Sequence, residues 1–174
     1  MSDTARWLYL VVSAAPPVLR IEEFIRALQA DGWSVALIAT PNAANWLDLQ
    51  ALEDRTSVIV RVHPRSPYER ASLPRADAVV AAPMTFNSIN KWAAGFSDNQ
   101  ALGILNELLE AAVPILAVPC AKASLRAHPA YLGSVARLAH EGVVIMDPDA
   151  VTVRAEDGLA SFDWKQIIDA ARAL

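Results

Sequence analysis

The sequence predicts an α/β/α fold: a central parallel sheet covered by helices on both sides, in three layers. Two observations carry this. Short, continuously apolar runs alternate with longer amphipathic ones along the chain, the signature of strand–helix–strand units. The apolar runs also lack the in–out alternation of a strand with one wet face, so each strand is buried on both sides. The length of 174 residues suits one domain of this kind.

Trp7-Leu8-Tyr9-Leu10-Val11-Val12 is the first strand, and Pro16-Pro17 breaks it. Over 18–30, Val18, Ile21, Phe24, Ile25 and Leu28 recur at helical spacing, with charged residues on the other face. Asp31-Gly32 ends that helix, and 34–39 is the second strand. Thr40-Pro41-Asn42 opens another helix, with threonine as N-cap and proline at the first helical position. The β-branched run 57–62 is a third strand, and the polar, proline-bearing stretch 63–74 is loop. Strand 77–82 follows, then helices over 86–94 and 100–112, strand 114–118, helix 129–140, strand 143–146 and an amphipathic helix over 164–174.

Composition narrows the function. Apolar residues make up 54% and mean hydropathy is +0.26, which excludes a disordered chain. Fifteen basic residues against 19 acidic ones give a net charge of −4, which argues against a nucleic-acid partner held by a basic face. The single cysteine, Cys120, leaves no disulfide framework and no cysteine zinc site, and no metal is expected. The start Met1-Ser2-Asp3-Thr4-Ala5-Arg6 lacks the pattern of a signal peptide, and no run reaches the ~20 apolar residues that span a bilayer. A cytoplasmic protein with no membrane partner is the expectation.

In parallel sheets ligands sit beyond the carboxyl ends of the strands. Ser13-Ala14-Ala15-Pro16-Pro17 is small enough to let an anion approach, although each proline removes an N–H donor. There is no G-x-G-x-x-G and no Walker lysine. Thr40 either caps its own helix or donates to a phosphate. The richest segment runs from Ala82 to Asn99. Thr85, Asn87, Ser88 and Lys91 crowd a helix start there, and one cap needs only one of them.

Pro83-Met84-Thr85-Phe86-Asn87-Ser88, followed by Lys91, Gly95 and Asp98-Asn99, resembles the signature of the homo-oligomeric flavin-containing cysteine decarboxylases. That family includes phosphopantothenoylcysteine decarboxylase and the lanthipeptide decarboxylases. The likeness takes in 23–46, 119–129 and the step Glu141-Gly142-Val143 and covers roughly the first 148 residues; the tail beyond carries no recognisable part of the pattern. It implies a flavodoxin-like (Rossmann-like) domain over 1–174 that binds FMN, acts on a small-molecule or peptide carboxylate such as a cysteine, and assembles as a trimer or a dodecamer of trimers. Thr40 would face the FMN phosphate, with Ser13 and Ala14 beside it. Pro83, Met84, Thr85 and Phe86 would line the phosphate and ribityl chain, and Asn87 would hold the substrate carboxylate. Cys120, just past a strand end, would lie close to the flavin.

The chain also departs from the family. Where a catalytic histidine is expected, before Ala76-Asp77, it has Tyr68-Glu69-Arg70. His63 and Glu69 are then the candidate acid–base residues. The clamp Pro-x-Met-Asn-x-x-Met-Trp reads Pro119-Cys120-Ala121-Lys122-Ala123-Ser124-Leu125-Arg126, and no cysteine follows Cys120. A diverged flavin-dependent decarboxylase is the leading expectation. A non-catalytic flavin-binding homologue or partner subunit is the alternative, and flavin prenylation a third possibility. His128 and His140, at the two ends of helix 129–140, are read as structural. Trp33, Trp46 and Trp92 are candidates for subunit interfaces.

Overall fold

The computed structural model describes residues 5–69 and 72–174. Met1 to Thr4 and Arg70 therefore lie outside the described residues. β1 (Arg6–Val12) leads through a 3-10 turn (Pro16–Arg20) into α1 (Ile21–Ala30), then β2 (Trp33–Ala39), α2 (Pro41–Ala44), α3 (Leu49–Thr56) and β3 (Ile59–Arg61). β4 (Ala78–Met84), α4 (Phe86–Ala93), α5 (Gln100–Glu110), β5 (Ile115–Pro119), α6 (Ala123–Arg126), α7 (Pro129–His140) and β6 (Val144–Ile145) follow. The chain ends with α8 (Pro148–Val151), the hairpin β7 (Thr152–Arg154)–β8 (Ala160–Phe162), and α9 (Trp164–Arg172).

Six parallel strands lie in the order β3-β2-β1-β4-β5-β6. The order reverses between β1 and β4, which makes a crevice at their carboxyl ends. β1 shows why the sheet is dry on both faces. Leu8, Leu10 and Val12 pack with α1 and α9 on one side, and Tyr9 and Val11 pack with α4, α5 and α7 on the other. The three-layer fold with a parallel sheet is as the sequence predicts.

Local departures have local causes. The helix expected over 18–30 becomes two pieces, because Pro16-Pro17 starts a 3-10 turn, and regular α-helix begins only at Ile21. The third strand is shorter than 57–62, since Ser57 takes a left-handed φ of 54° to close α3. The fourth strand runs on to Met84. Its register against β5 shifts between Ala81 and Met84, where Pro83 has no N–H to give the ladder. The hairpin β7–β8, with Gly158 at φ +81°, is an addition to the predicted elements.

Two of the three tryptophans expected at subunit interfaces are core residues instead. Trp33 is 6% exposed with the Arg6 guanidinium 3.9 Å above its ring, and Trp92 is 1% exposed. Trp164 stacks on Phe24 at 4.7 Å. Of the three interface candidates only Trp46, 48% exposed, reaches the surface.

Candidate functional site

The β1–β4 crevice is built by the residues that stitch its two strands together. Ser13, at the end of β1, is 1% exposed. Its hydroxyl donates to the Pro83 carbonyl at 2.8 Å and accepts the Thr85 N–H at 2.8 Å, while its own N–H donates to Pro83 O at 2.9 Å. One step along the sheet, the Cys120 N–H donates to Met84 O at 2.9 Å. On the other side, the Thr40 N–H donates to Val12 O at 3.0 Å. The loops after β2, β1, β4 and β5 are thus tied into one rim.

Two lobes open from this rim and share Ala14, Thr85 and Asn87. The polar lobe, about 370 Å³, adds Ser13, Thr40, Asn42, Ser88, Lys91 and Asn99. Three of its side chains cap helices: Thr40 accepts from Ala43 N at 3.2 Å, Thr85 from Ser88 N at 3.1 Å, and Asn99 from Leu102 N at 3.0 Å. Lys91 is paired with Asp98, so its charge is neutralised. The apolar lobe, about 710 Å³, is lined by Ala15, Pro16, Phe86, Cys120, Leu125 and residues of α8 and the hairpin. Phe86 is held by His128, edge-on at 5.7 Å, and by Tyr131, stacked at 6.3 Å. Burial pushes the Cys120 thiol above its ordinary range, so it stays protonated.

The structure brings together Ser13, Ala14, Thr40, Thr85, Phe86, Asn87 and Cys120 along the rim and its lobes. Pro83 and Met84 line neither lobe. Both are buried, Met84 in the core under α4 and α7, and they serve through their carbonyls. His63 and Glu69 also line neither lobe. They are exposed on the segment after β3, the edge strand two places from β1. His128 has the structural part expected of it, since its Nδ1 accepts the Ala130 N–H at 3.0 Å and caps α7.

The sequence reading missed one wall of the apolar lobe, formed by Pro148, Asp149, Thr152, Arg154 and Ala160. The signals were there: Asp147-Pro148 is a cap followed by proline at the first helical position, and Asp157-Gly158 is a hairpin turn pair.

Comparison with known proteins now places the chain. The family model described as Flavoprotein matches residues 1–174. The chain belongs to the flavoprotein family. The match includes the tail beyond residue 148, which the sequence likeness did not reach. Over 130 residues the chain is 28% identical to the coenzyme A biosynthesis bifunctional protein CoaBC of Mycolicibacterium smegmatis, covering 71% of this chain and 30% of that protein. The chain thus spans under a third of the length of that curated relative. Two solved structures share the fold. A PPC decarboxylase mutant complexed with pantothenoylaminoethenethiol superposes with a TM-score of 0.79 at 17% identity, covering 97% of each chain. The FMN-dependent cysteine decarboxylase TvaF from thioviridamide biosynthesis gives 0.76 at 20% identity, covering 97% of this chain and 96% of its own. The flavoprotein assignment agrees with the resemblance read from the Asn87 motif.

The residues at the rim fit FMN. A phosphate monoester needs donors without bulk, and the polar lobe offers the Thr40 hydroxyl and the Asn87 N–H in the first turn of α4, which has no intrahelical acceptor. A flat tricyclic ring needs an apolar slot next to that anchor, and the adjoining lobe is apolar and of ligand size. Among the described residues no helix is long and apolar enough to cross a membrane.

Proposed function

We propose that this chain acts as one FMN-binding domain, with the phosphate in the polar lobe and the ring in the apolar lobe. In this reading it is a flavin-dependent decarboxylase acting on a cysteine-type or other small carboxylate. The observation that carries the proposal is the pair of lobes joined at Ala14, Thr85 and Asn87 over the strand-order reversal. Bound FMN would supply the two-electron acceptor for oxidation of the substrate.

The chain's own residues would divide the remaining work. Thr40 keeps its hydroxyl hydrogen free while its oxygen accepts from Ala43, so it donates to the phosphate without giving up its cap. Asn87, exposed and shared by both lobes, turns its carboxamide toward the substrate carboxylate. Phe86, braced by Tyr131 and His128, offers an apolar edge that keeps water away. Cys120, held as a thiol by burial, serves as lining and not as a thiolate nucleophile.

A second reading, a flavin-binding subunit without its own acid–base residue, is favoured by one observation. Among the described residues no histidine lines either lobe, and the one carboxylate of the apolar lobe, Asp149, is tied to Arg126. The deciding experiment begins with the absorption spectrum of the purified protein and identification of the released cofactor by chromatography. About one FMN per chain supports both readings, and protein that is colourless and takes up no added FMN sinks both. Anaerobic bleaching of the flavin by a cysteine-terminated peptide then supports the enzyme, and an unchanged spectrum supports the binding subunit.

A further inference from the structure

We infer that the apolar lobe takes a small ligand with an apolar body and an anionic end, a carboxylate or a phosphate, held by Lys122 and Arg154. This rests on the flavin reading, which gives the polar lobe to the FMN phosphate. The chain as a whole is acidic, with 15 basic residues against 19 acidic ones. The lining of this lobe has the opposite sign: Lys122, Arg126 and Arg154 face a single carboxylate, Asp149.

That carboxylate is already engaged. The Arg126 guanidinium grips Asp149 with two bonds of 2.7 and 3.1 Å, and its Nε donates to Ala121 O at 3.2 Å. The pair is closed, and it pins the loop that carries Lys122. Lys122 itself has no hydrogen bond or ion pair from its side chain among the described residues. Arg154 donates one nitrogen to Gly158 O at 2.9 Å and has no carboxylate partner among the described residues. Of the two carboxylates in the hairpin turn, Asp157 faces Arg20 at 3.8 Å, and neither Glu156 nor Asp157 lines the lobe.

Two cations on the lining of a largely apolar cleft are thus left without a carboxylate partner among the described residues. Low-dielectric walls focus such a field and favour an anion there. Lys122 stands at the start of α6 and Arg154 on β7, so the two cations reach the lobe from separate elements of the fold.

Calorimetric titration with three probes of equal chain length, hexanoate, hexyl phosphate and hexanol, tests this on FMN-loaded and on flavin-free protein. The expected result is that both anions bind at least about tenfold tighter than hexanol, the effect of one charge-assisted hydrogen bond. Whichever anion binds tighter identifies the head group. In a Lys122→Gln/Arg154→Gln variant the anion preference disappears while hexanol binding is unchanged. Both side chains are exposed, and circular dichroism checks that the variant is folded.

Equal binding of hexanol and the anions overturns the inference, as does a preference that survives in the variant. A preference seen in flavin-free protein but lost on FMN loading also overturns it, because the cationic end would then belong to the flavin phosphate. Failure to take up FMN shows in the absorption spectrum before any probe is added. It sinks the flavin reading alone, and the anion preference is then judged on flavin-free protein.

Discussion

The two lobes of the crevice are built by opposite means. In the polar lobe the hydroxyls and one of the three side-chain amides have a second duty: Ser13 joins β1 to the β4 turn, and Thr40, Thr85 and Asn99 cap helices. In the apolar lobe Phe86 and the Arg126–Asp149 pair brace the wall, but Lys122, Leu125 and Arg154 line the cavity from exposed positions and hold up little of the fold through their side chains. Function and stability are therefore coupled on one side and separable on the other. A substitution in the polar lobe should damage both, and one in the apolar lobe should change the ligand and spare the fold.

Ser13→Ala gives the largest expected effect. It leaves the Thr85 N–H without its acceptor and removes one donor from Pro83 O, costing about 1–3 kcal/mol of stability by denaturant unfolding. FMN binding should weaken with it, and a stable variant with intact binding would break the coupling. Thr40→Val comes next, with the loss of a cap worth about 1 kcal/mol. FMN affinity should fall on the order of tenfold, the value of one hydrogen bond to a charged group, while riboflavin, which lacks the phosphate, binds as before. An equal loss for both flavins would place the phosphate elsewhere.

Asn87 belongs to both lobes and sharpens the boundary. It is exposed and makes no side-chain hydrogen bond among the described residues, so Asn87→Ala should change stability by no more than about 0.5 kcal/mol. Affinity for a cysteine-terminated peptide should still drop by on the order of tenfold. The smallest effect is chemical. Because burial raises the Cys120 pKa, its thiolate fraction at neutral pH is below that of a free cysteine. Alkylation by iodoacetamide should be slow there and accelerate only above the usual thiol range. Fast alkylation at neutral pH would mean an electropositive, activated cysteine and a different lobe.

The same division explains what could be read from the sequence. The sheet strands were legible because each is a continuous apolar run, and the bounds of α7 were legible because Pro129 and Gly142 frame it. The polar lobe was legible because capping residues leave a local pattern, with Thr40-Pro41 and Thr85 at helix starts. The far wall of the apolar lobe was not. β7 and β8 are three residues each, and β7 is fully exposed, so no hydrophobic period marks it. His63 and Glu69 misled for a related reason. Closeness in sequence to an expected motif says nothing of the sheet order, which puts their strand at the edge. Trp33 and Trp92 misled because a large aromatic residue reads alike in a core and at an interface.

The carboxyl-end rim also acts as a ruler. Thr40, Ser13, Thr85 and Cys120 follow β2, β1, β4 and β5, four neighbours in the sheet. Neighbouring strands lie about 4.8 Å apart, so the four loops span about 14 Å from the first to the last. The backbone ladder sets that distance, and no side-chain change alters it. Ligands anchored at Thr40 are therefore sorted by length: a bare phosphate or a short sugar phosphate ends before the Cys120 loop, and only an extended molecule with a polar head, a linker and a flat end touches all four.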